Sequence, residues 1–179
     1  MGHIYFVRHG QTVWNVENKI CGATDVALTE LGHRQAIETG RAFVERGLTA
    51  DEILYSPLSR AADTARHIAE LTALPARVEP RLCEQHFGYY ESTPRDGEAF
   101  REAKKTFTSR YGTGESILHA AQRIYNLLDE LRGQRDRVYI LVGHNGIARV
   151  LHSYFHDMTL EEFCAFRVEN CQILRYDFD

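Results

Sequence analysis

The run Val138-Tyr139-Ile140-Leu141-Val142 constrains this chain most. Five apolar residues without a polar interruption do not suit a strand with one wet face, which would alternate. They suit a strand covered on both sides in the middle of a parallel sheet. Parallel neighbours need crossover connections, usually helices, and the rest of the chain supplies them. His3–Val7 reads as a strand. Thr29–Arg46 reads as a helix with Thr29 as its N-cap and Gly47 as its stop. Glu52–Tyr55 reads as a strand ending at Ser56-Pro57, Ser59–Leu71 as an alanine-rich helix, and Arg77–Glu79 as a short strand. Ser116–Leu131 places Ile117, Ala120, Ala121, Ile124, Leu127, Leu128 and Leu131 on one helical stripe. Gly146–Phe155 is expected as a helix and Gln172–Tyr176 as the last strand. Strands alternating with helices give an α/β sheet covered on both faces.

The segment Gln85–Thr113 breaks this rhythm. It carries Arg95, Arg101, Lys104, Lys105 and Arg110 without clean periodicity. It reads as an excursion over the sheet edge that caps a site, or, for most of its charges, as a solvated helix. At 179 residues the chain suits one domain spanning 1–179, with 85–113 as a small lid. A net charge of −4 argues against a general nucleic-acid binder, although arginines gathered in a cleft still attract an anion. No apolar run approaches a membrane span and no leader precedes the first strand, so a cytoplasmic location without a membrane partner is expected. Cys21, Cys83, Cys164 and Cys171 form no C-x-x-C pair and are expected as reduced, mostly buried thiols.

Four segments bring reactive groups to strand ends or helix starts, where open α/β sheets bind ligands. They are Arg8-His9-Gly10, Ser56-Pro57-Leu58-Ser59-Arg60, Leu82-Cys83-Glu84 and Gly143-His144-Asn145-Gly146. Arginine clamps phosphate oxygens through a planar fork of donors. A helix starting at Asn145-Gly146 adds backbone N–H groups that favour an anion. A neutral imidazole can attack phosphorus and form a covalent intermediate. A carboxylic acid, Glu84, can protonate the leaving oxygen. Taken singly, each residue has an ordinary reading as a surface or core side chain; the weight lies in the combination. His152 and His156 stand four apart, as two metal ligands would, but no third ligand is nearby and a part-exposed helix end explains them. Phe87, Tyr89 and Tyr90 are expected near the site's mouth. Leu151, Tyr154, Phe155, Phe163 and Phe166 suit either a dimer face or the core.

In this order, with Trp14-Asn15, Gly22-Ala23-Thr24-Asp25, Leu28-Thr29-Glu30-Leu31-Gly32, Phe87-Gly88-Tyr89-Tyr90-Glu91 and Gly114-Glu115-Ser116, the segments resemble the histidine phosphatase superfamily, in its phosphoglycerate mutase-like branch. The resemblance covers nearly the whole chain and implies a three-layer α/β/α sandwich with a mostly parallel central sheet. It implies His9 as the phosphorylated nucleophile. Arg8, Arg60 and His144 form the phosphate pocket, Asn15 is a further donor, and Glu84 is the acid and later the base. The loop bearing Gly22 and Thr24 lies over the rim. The phosphate- and substrate-binding set is thus Asn15, Gly22, Thr24 and Asn145. No metal or other cofactor is implied. The sequence departs from the family pattern at Gly143 and Asn145 beside the second histidine, at Asp63, and at Ser92 after Glu91.

The expected activity is hydrolysis of a small phosphorylated metabolite, because a brief lid leaves a phosphohistidine open to water. The alternatives are a phosphoglycerate mutase and a non-catalytic phospho-ligand binder. No G-x-G-x-x-G or P-loop signature supports a nucleotide-cofactor enzyme. A monomer or a homodimer is expected.

Overall fold

The computed structural model describes residues 2–134 and 136–179; Met1 and Arg135 of the expected 1–179 span lie outside them. Among the described residues, five strands form one sheet in the order β3-β2-β4-β1-β5. They are β1 (His3–Arg8), β2 (Glu52–Tyr55), β3 (Ala76–Val78), β4 (Val138–Gly143) and β5 (Ile173–Asp177). The uninterrupted apolar strand β4 lies at the centre. β1, β2 and β3 run in one direction with it, and β5 pairs antiparallel to β1.

Alternate residues of β1, β2 and β4 serve two separate cores, as the pleat requires. Ile4, Phe6, Leu54, Tyr139 and Leu141 pack with α5 (Ile117–Arg132) and α6 (Asn145–Phe155) on one face. Tyr5, Val7, Ile53, Ile140 and Val142 pack with α2 (Glu30–Glu45) and α3 (Ser59–Thr72) on the other. The three layers are therefore helix, sheet and helix. Leu151 and Phe163 are buried in the first core, with Tyr154, Phe155 and Phe166 packed against it, so the core accounts for the C-terminal apolar residues.

The helices that cap themselves lie where their sequence signals are. Thr29 accepts from Gly32 N–H at the start of α2, and Gly47, with φ +62°, follows its C-cap. Ser116 accepts from His119 N–H at the start of α5. Two short helices had no counterpart in the periodicity: α1 (Val13–Val16) and α7 (Leu160–Ala165). Each starts in a capping box, Thr12 with Asn15 and Thr159 with Glu162. Strand β3 begins one residue before the expected Arg77 and ends at Val78. Glu79 N–H still donates to the Tyr55 carbonyl at 2.8 Å, while its carboxylate pairs with Arg81 at 2.8 Å and caps the turn Pro80–Leu82.

The segment 85–113 contains a single helical turn (Gly88–Tyr90) and α4 (Glu98–Ala103). Ile20, Phe87, Phe100 and Tyr111 give it a small core of its own. Phe87 and Tyr90 pack there, whereas Tyr89 is 74% exposed and does not close the site. The four cysteines are free but part-exposed rather than mostly buried.

Candidate active site

Parallel pairing places three strand ends side by side. Arg8 is opposite Gly143, and Tyr55 is opposite Val142. The next residues, His9, His144 and Ser56, therefore emerge together at the carboxyl edge of the sheet. The rings of His9 and His144 lie 5.1 Å apart between centroids. Arg60, in the first turn of α3, is fully buried behind them.

His9 Nδ1 lies 2.7 Å from the Gly10 carbonyl. A carbonyl only accepts, so Nδ1 carries the proton and the neutral ring keeps its lone pair on Nε2. Burial, reinforced by Arg8 and Arg60, holds the His9 pKa well below its ordinary value. The imidazole is thus neutral at neutral pH, as a nucleophile must be. His144 Nε2 lies 2.7 Å from Ser56 Oγ, while its buried Nδ1 has no partner. With the Ser56 hydroxyl donating to Nε2, Nδ1 keeps a proton free to donate to an anion. Burial, then Arg60 and His9, also holds the His144 pKa well down.

Arg8 NH1 donates to the Val168 carbonyl at 2.6 Å, and its buried Nε has no partner. Burial pushes its pKa down to about 10, so it stays charged at neutral pH. Arg60 donates to the carbonyls of Thr24 (2.9 Å) and Gly22 (2.6 Å), and its Nε is also unpartnered and buried. Two desolvated guanidiniums without a carboxylate partner describe a receptor for an anion. Asn15 Oδ1 accepts from Thr12 N–H and from Asn170 Nδ2, which leaves its own amide N–H groups as donors beside the cavity.

Glu84 is 5% exposed. Its carboxylate accepts from the N–H groups of Gly146 (2.8 Å), Ile147 (3.1 Å) and Gln85 (2.8 Å). It thereby caps α6, which lacks a side-chain cap of its own. A Cβ on Gly146 would lie 2.3 Å from Glu84 Oε1, so only glycine admits this approach. Burial pushes the Glu84 pKa up, against the opposing effect of those N–H groups.

A cavity of about 660 Å³ opens over these groups, lined by Arg8, His9, Asn15, Glu84, Asn145 and Gly146. Arg60 and His144 stand behind its wall. Three expected site residues have other partners. Gly22 N–H and Thr24 Oγ1 donate to the Glu91 carboxylate, at 3.0 and 2.8 Å, and neither residue lines the cavity. Asn145 Oδ1 accepts from Val168 N–H. It thus fixes the segment whose carbonyl holds Arg8.

Among the described residues, no three His, Cys, Asp or Glu side chains are grouped to hold a metal ion. His152 Nδ1 binds Tyr176 OH and its ring stacks on Phe166, so the helix-end reading of the His152 and His156 pair stands. Asp63 pairs with Arg66 on the surface of α3. Sequence reasoning missed Asn170, whose amide donates to the His9 carbonyl at 2.9 Å. It also missed the anchoring role of Glu91. Asn170 had no local signal, whereas the Gly22–Asp25 motif left an organiser to be looked for.

The fold and the paired histidine and arginine groups define a phosphoryl-handling enzyme of the α/β class. The family model "Histidine phosphatase superfamily (branch 1)" matches residues 4–179, and the chain belongs to that family. It is a phosphatase-type enzyme of the phosphoglycerate mutase family. "Probable phosphoglycerate mutase GpmB" of Erwinia tasmaniensis is 33% identical over 185 residues, 99% of this chain and 85% of that protein. Among solved structures, a phosphoserine phosphatase mutant from Entamoeba histolytica, in complex with phosphoserine, superposes with a TM-score of 0.86 at 25% identity. It covers 100% of this chain and 92% of that one. The mycobacterial glucosyl-3-phosphoglycerate phosphatase gives a TM-score of 0.83 at 28% identity, covering 97% and 88%.

Proposed function

We propose that this chain hydrolyses small phosphomonoesters in two steps through His9. The Nε2 lone pair attacks phosphorus, the phosphorus–oxygen bond to the alcohol breaks, and protonated Glu84 gives the leaving oxygen its proton. Water then attacks the phosphohistidine, the Glu84 carboxylate takes the water proton, and the phosphorus–nitrogen bond breaks to release phosphate. Arg8 and Arg60 balance the phosphoryl charge throughout, with the neutral His144 and Asn15 as further hydrogen-bond donors. Gly22 and Thr24 contribute through their carbonyls, which hold Arg60 in place. Four free cysteines accord with a reducing, cytoplasmic setting.

One observation carries this reading: the Gly10 carbonyl fixes the His9 proton on Nδ1 and frees Nε2, in a cavity that also holds Arg8 and a buried carboxyl group. The test separates hydrolase from mutase. The enzyme is given phosphoglycerate with a bisphosphoglycerate primer, and phosphate release and isomerisation are followed together. Release outrunning isomerisation is expected. Isomerisation outrunning release would make the chain a mutase, and the absence of both, across a panel of phosphomonoesters, would leave it a phospho-ligand binder.

A further inference from the structure

Gly114-Glu115-Ser116 lies outside the active-site cavity, yet its glutamate reaches the segment of the proton donor by three routes. The Glu115 N–H donates to the His86 carbonyl at 2.8 Å. The Glu115 carbonyl accepts from Gln85 Nε2 at 3.0 Å. Its carboxylate accepts twice from Arg123 of α5, once from Nε and once from NH2, each at 2.8 Å. The remaining Arg123 nitrogen, NH1, donates to the Arg81 carbonyl. The stretch that carries Glu84 is therefore held on both sides, at Arg81 before it and at Gln85 and His86 after it.

An acid in this position needs such support. The ionised Glu84 carboxylate is tethered by the N–H groups of Gly146, Ile147 and Gln85. The protonated form gives up part of that tether, because one oxygen becomes a donor and must turn to the leaving group. The backbone must then keep the carboxyl group in place. Glu115 and Arg123 are suited to this. Neither lines the cavity, so a substrate there would not touch them. They line a separate pocket of about 390 Å³ that shares Glu84 alone with the cavity. All three Arg123 guanidinium nitrogens are engaged. Burial pulls the Arg123 pKa down, and the Glu115 carboxylate more than restores it, so the pair stays ionic. A bidentate guanidinium–carboxylate pair fixes direction as well as distance.

We propose that Glu115 and Arg123 form a clamp that positions Glu84 for proton transfer to the leaving group. They are positioning residues, which act through the backbone from Arg81 to His86 and not on the substrate. This assignment rests on the phosphatase reading and adds to it what holds the acid.

The experiment reads leaving-group dependence, since a poor leaving group needs the acid and a good one does not. Arg123→Met and Glu115→Gln are assayed for kcat/KM on ethyl phosphate and nitrophenyl phosphate. Glu115→Gln keeps both backbone contacts, and it carries the test should Arg123→Met not fold. The ratio of the nitrophenyl to the ethyl value is expected to rise by roughly tenfold over wild type, the scale of a hydrogen bond to a charged group. Added to Glu84→Gln, neither change is expected to move that ratio further, because both act through Glu84. The inhibition constant for inorganic phosphate, set by Arg8 and Arg60, is expected to hold. A second measurement needs no turnover. The Gly146 and Ile147 N–H groups, in the first turn of α6, donate to Glu84, so their hydrogen exchange by NMR reads the seat of its carboxylate. Exchange about tenfold faster is expected in both variants. In an enzyme that hydrolyses both substrates, an unchanged ratio marks a merely structural role and overturns the clamp. A weakened hold on phosphate marks loosening of the whole site and does the same. Unchanged exchange overturns the clamp in any case. Faster exchange in a chain that hydrolyses neither substrate sinks the phosphatase reading and keeps the clamp.

Discussion

His9 divides two duties between its ring nitrogens. Nδ1 is held by the Gly10 carbonyl, so Nε2 is presented as a lone pair before any substrate arrives. Glu84 has the complementary problem, since a carboxyl group must carry a proton to give one. Its burial favours the protonated form. These opposite shifts set the pH profile. kcat/KM falls on the acid side as His9 takes a proton, at a pH well below the ordinary histidine value. It falls on the basic side as Glu84 loses its proton, above the ordinary carboxylate value. An optimum on the acid side of neutrality is expected. Glu84→Gln keeps one acceptor oxygen for the α6 N–H groups but has no proton to give. It is expected to lower kcat/KM, which reports the phosphorylation step, by about 10²- to 10⁴-fold for ethyl phosphate and far less for nitrophenyl phosphate, with its good leaving group. Equal losses on both substrates would remove Glu84 from the acid role.

Glu91 ties the Gly22–Asp25 loop to the turn Gly88–Tyr90 through one carboxylate. It accepts from the N–H groups of Gly22, Ala23 and Phe87, each at 3.0 Å, and from Thr24 Oγ1. The carbonyls of that same loop hold the Arg60 guanidinium. Glu91→Gln offers one acceptor oxygen to four donors, so the loop loosens and Arg60 loses its fixed direction. KM for phosphomonoesters and the inhibition constant for inorganic phosphate are expected to rise by about tenfold, the effect of a hydrogen bond to a charged group. Unchanged values would show that Arg60 is held by other means. The same scale shows what the sequence revealed. Helices α2 and α5 were legible because Thr29 and Ser116 cap them from within. The cap of α6 comes from Glu84, more than sixty residues upstream, and no local pattern announces such a partner. The Thr159–Glu162 capping box was written in the sequence, but a helix of six residues leaves too little periodicity to confirm it.

At the scale of the molecule, the sheet does the assembling. The register that sets Arg8 against Gly143 brings together histidines that stand 135 positions apart in the chain, at 9 and 144. Both motifs were visible in the sequence, and so was the central strand. The cavity's far wall was not, because it is made by packing α4 and α6 with the connection beyond α7, whose charges read singly as solvated. Burial also leaves a signature on stability. His3, His9, His67, His144 and His152 are all held below their ordinary value, chiefly by desolvation. As pH falls through about 6.5 the unfolded chain takes up protons that the folded chain refuses, so stability declines. Glu84 acts in the opposite sense, over the window between its ordinary and its raised value. Tm is therefore expected to fall between pH 7.5 and 5.5 in thermal melts, and a flat profile would contradict the neutral state of these rings. The central claim, covalent transfer through His9, has a more direct test. The enzyme is mixed with a ³²P-labelled phosphomonoester, quenched in denaturant at alkaline pH, and digested. The account predicts one acid-labile phosphate per chain, mapped to His9 and absent from His9→Ala. Turnover without label at His9, or continued turnover by His9→Ala, would contradict it.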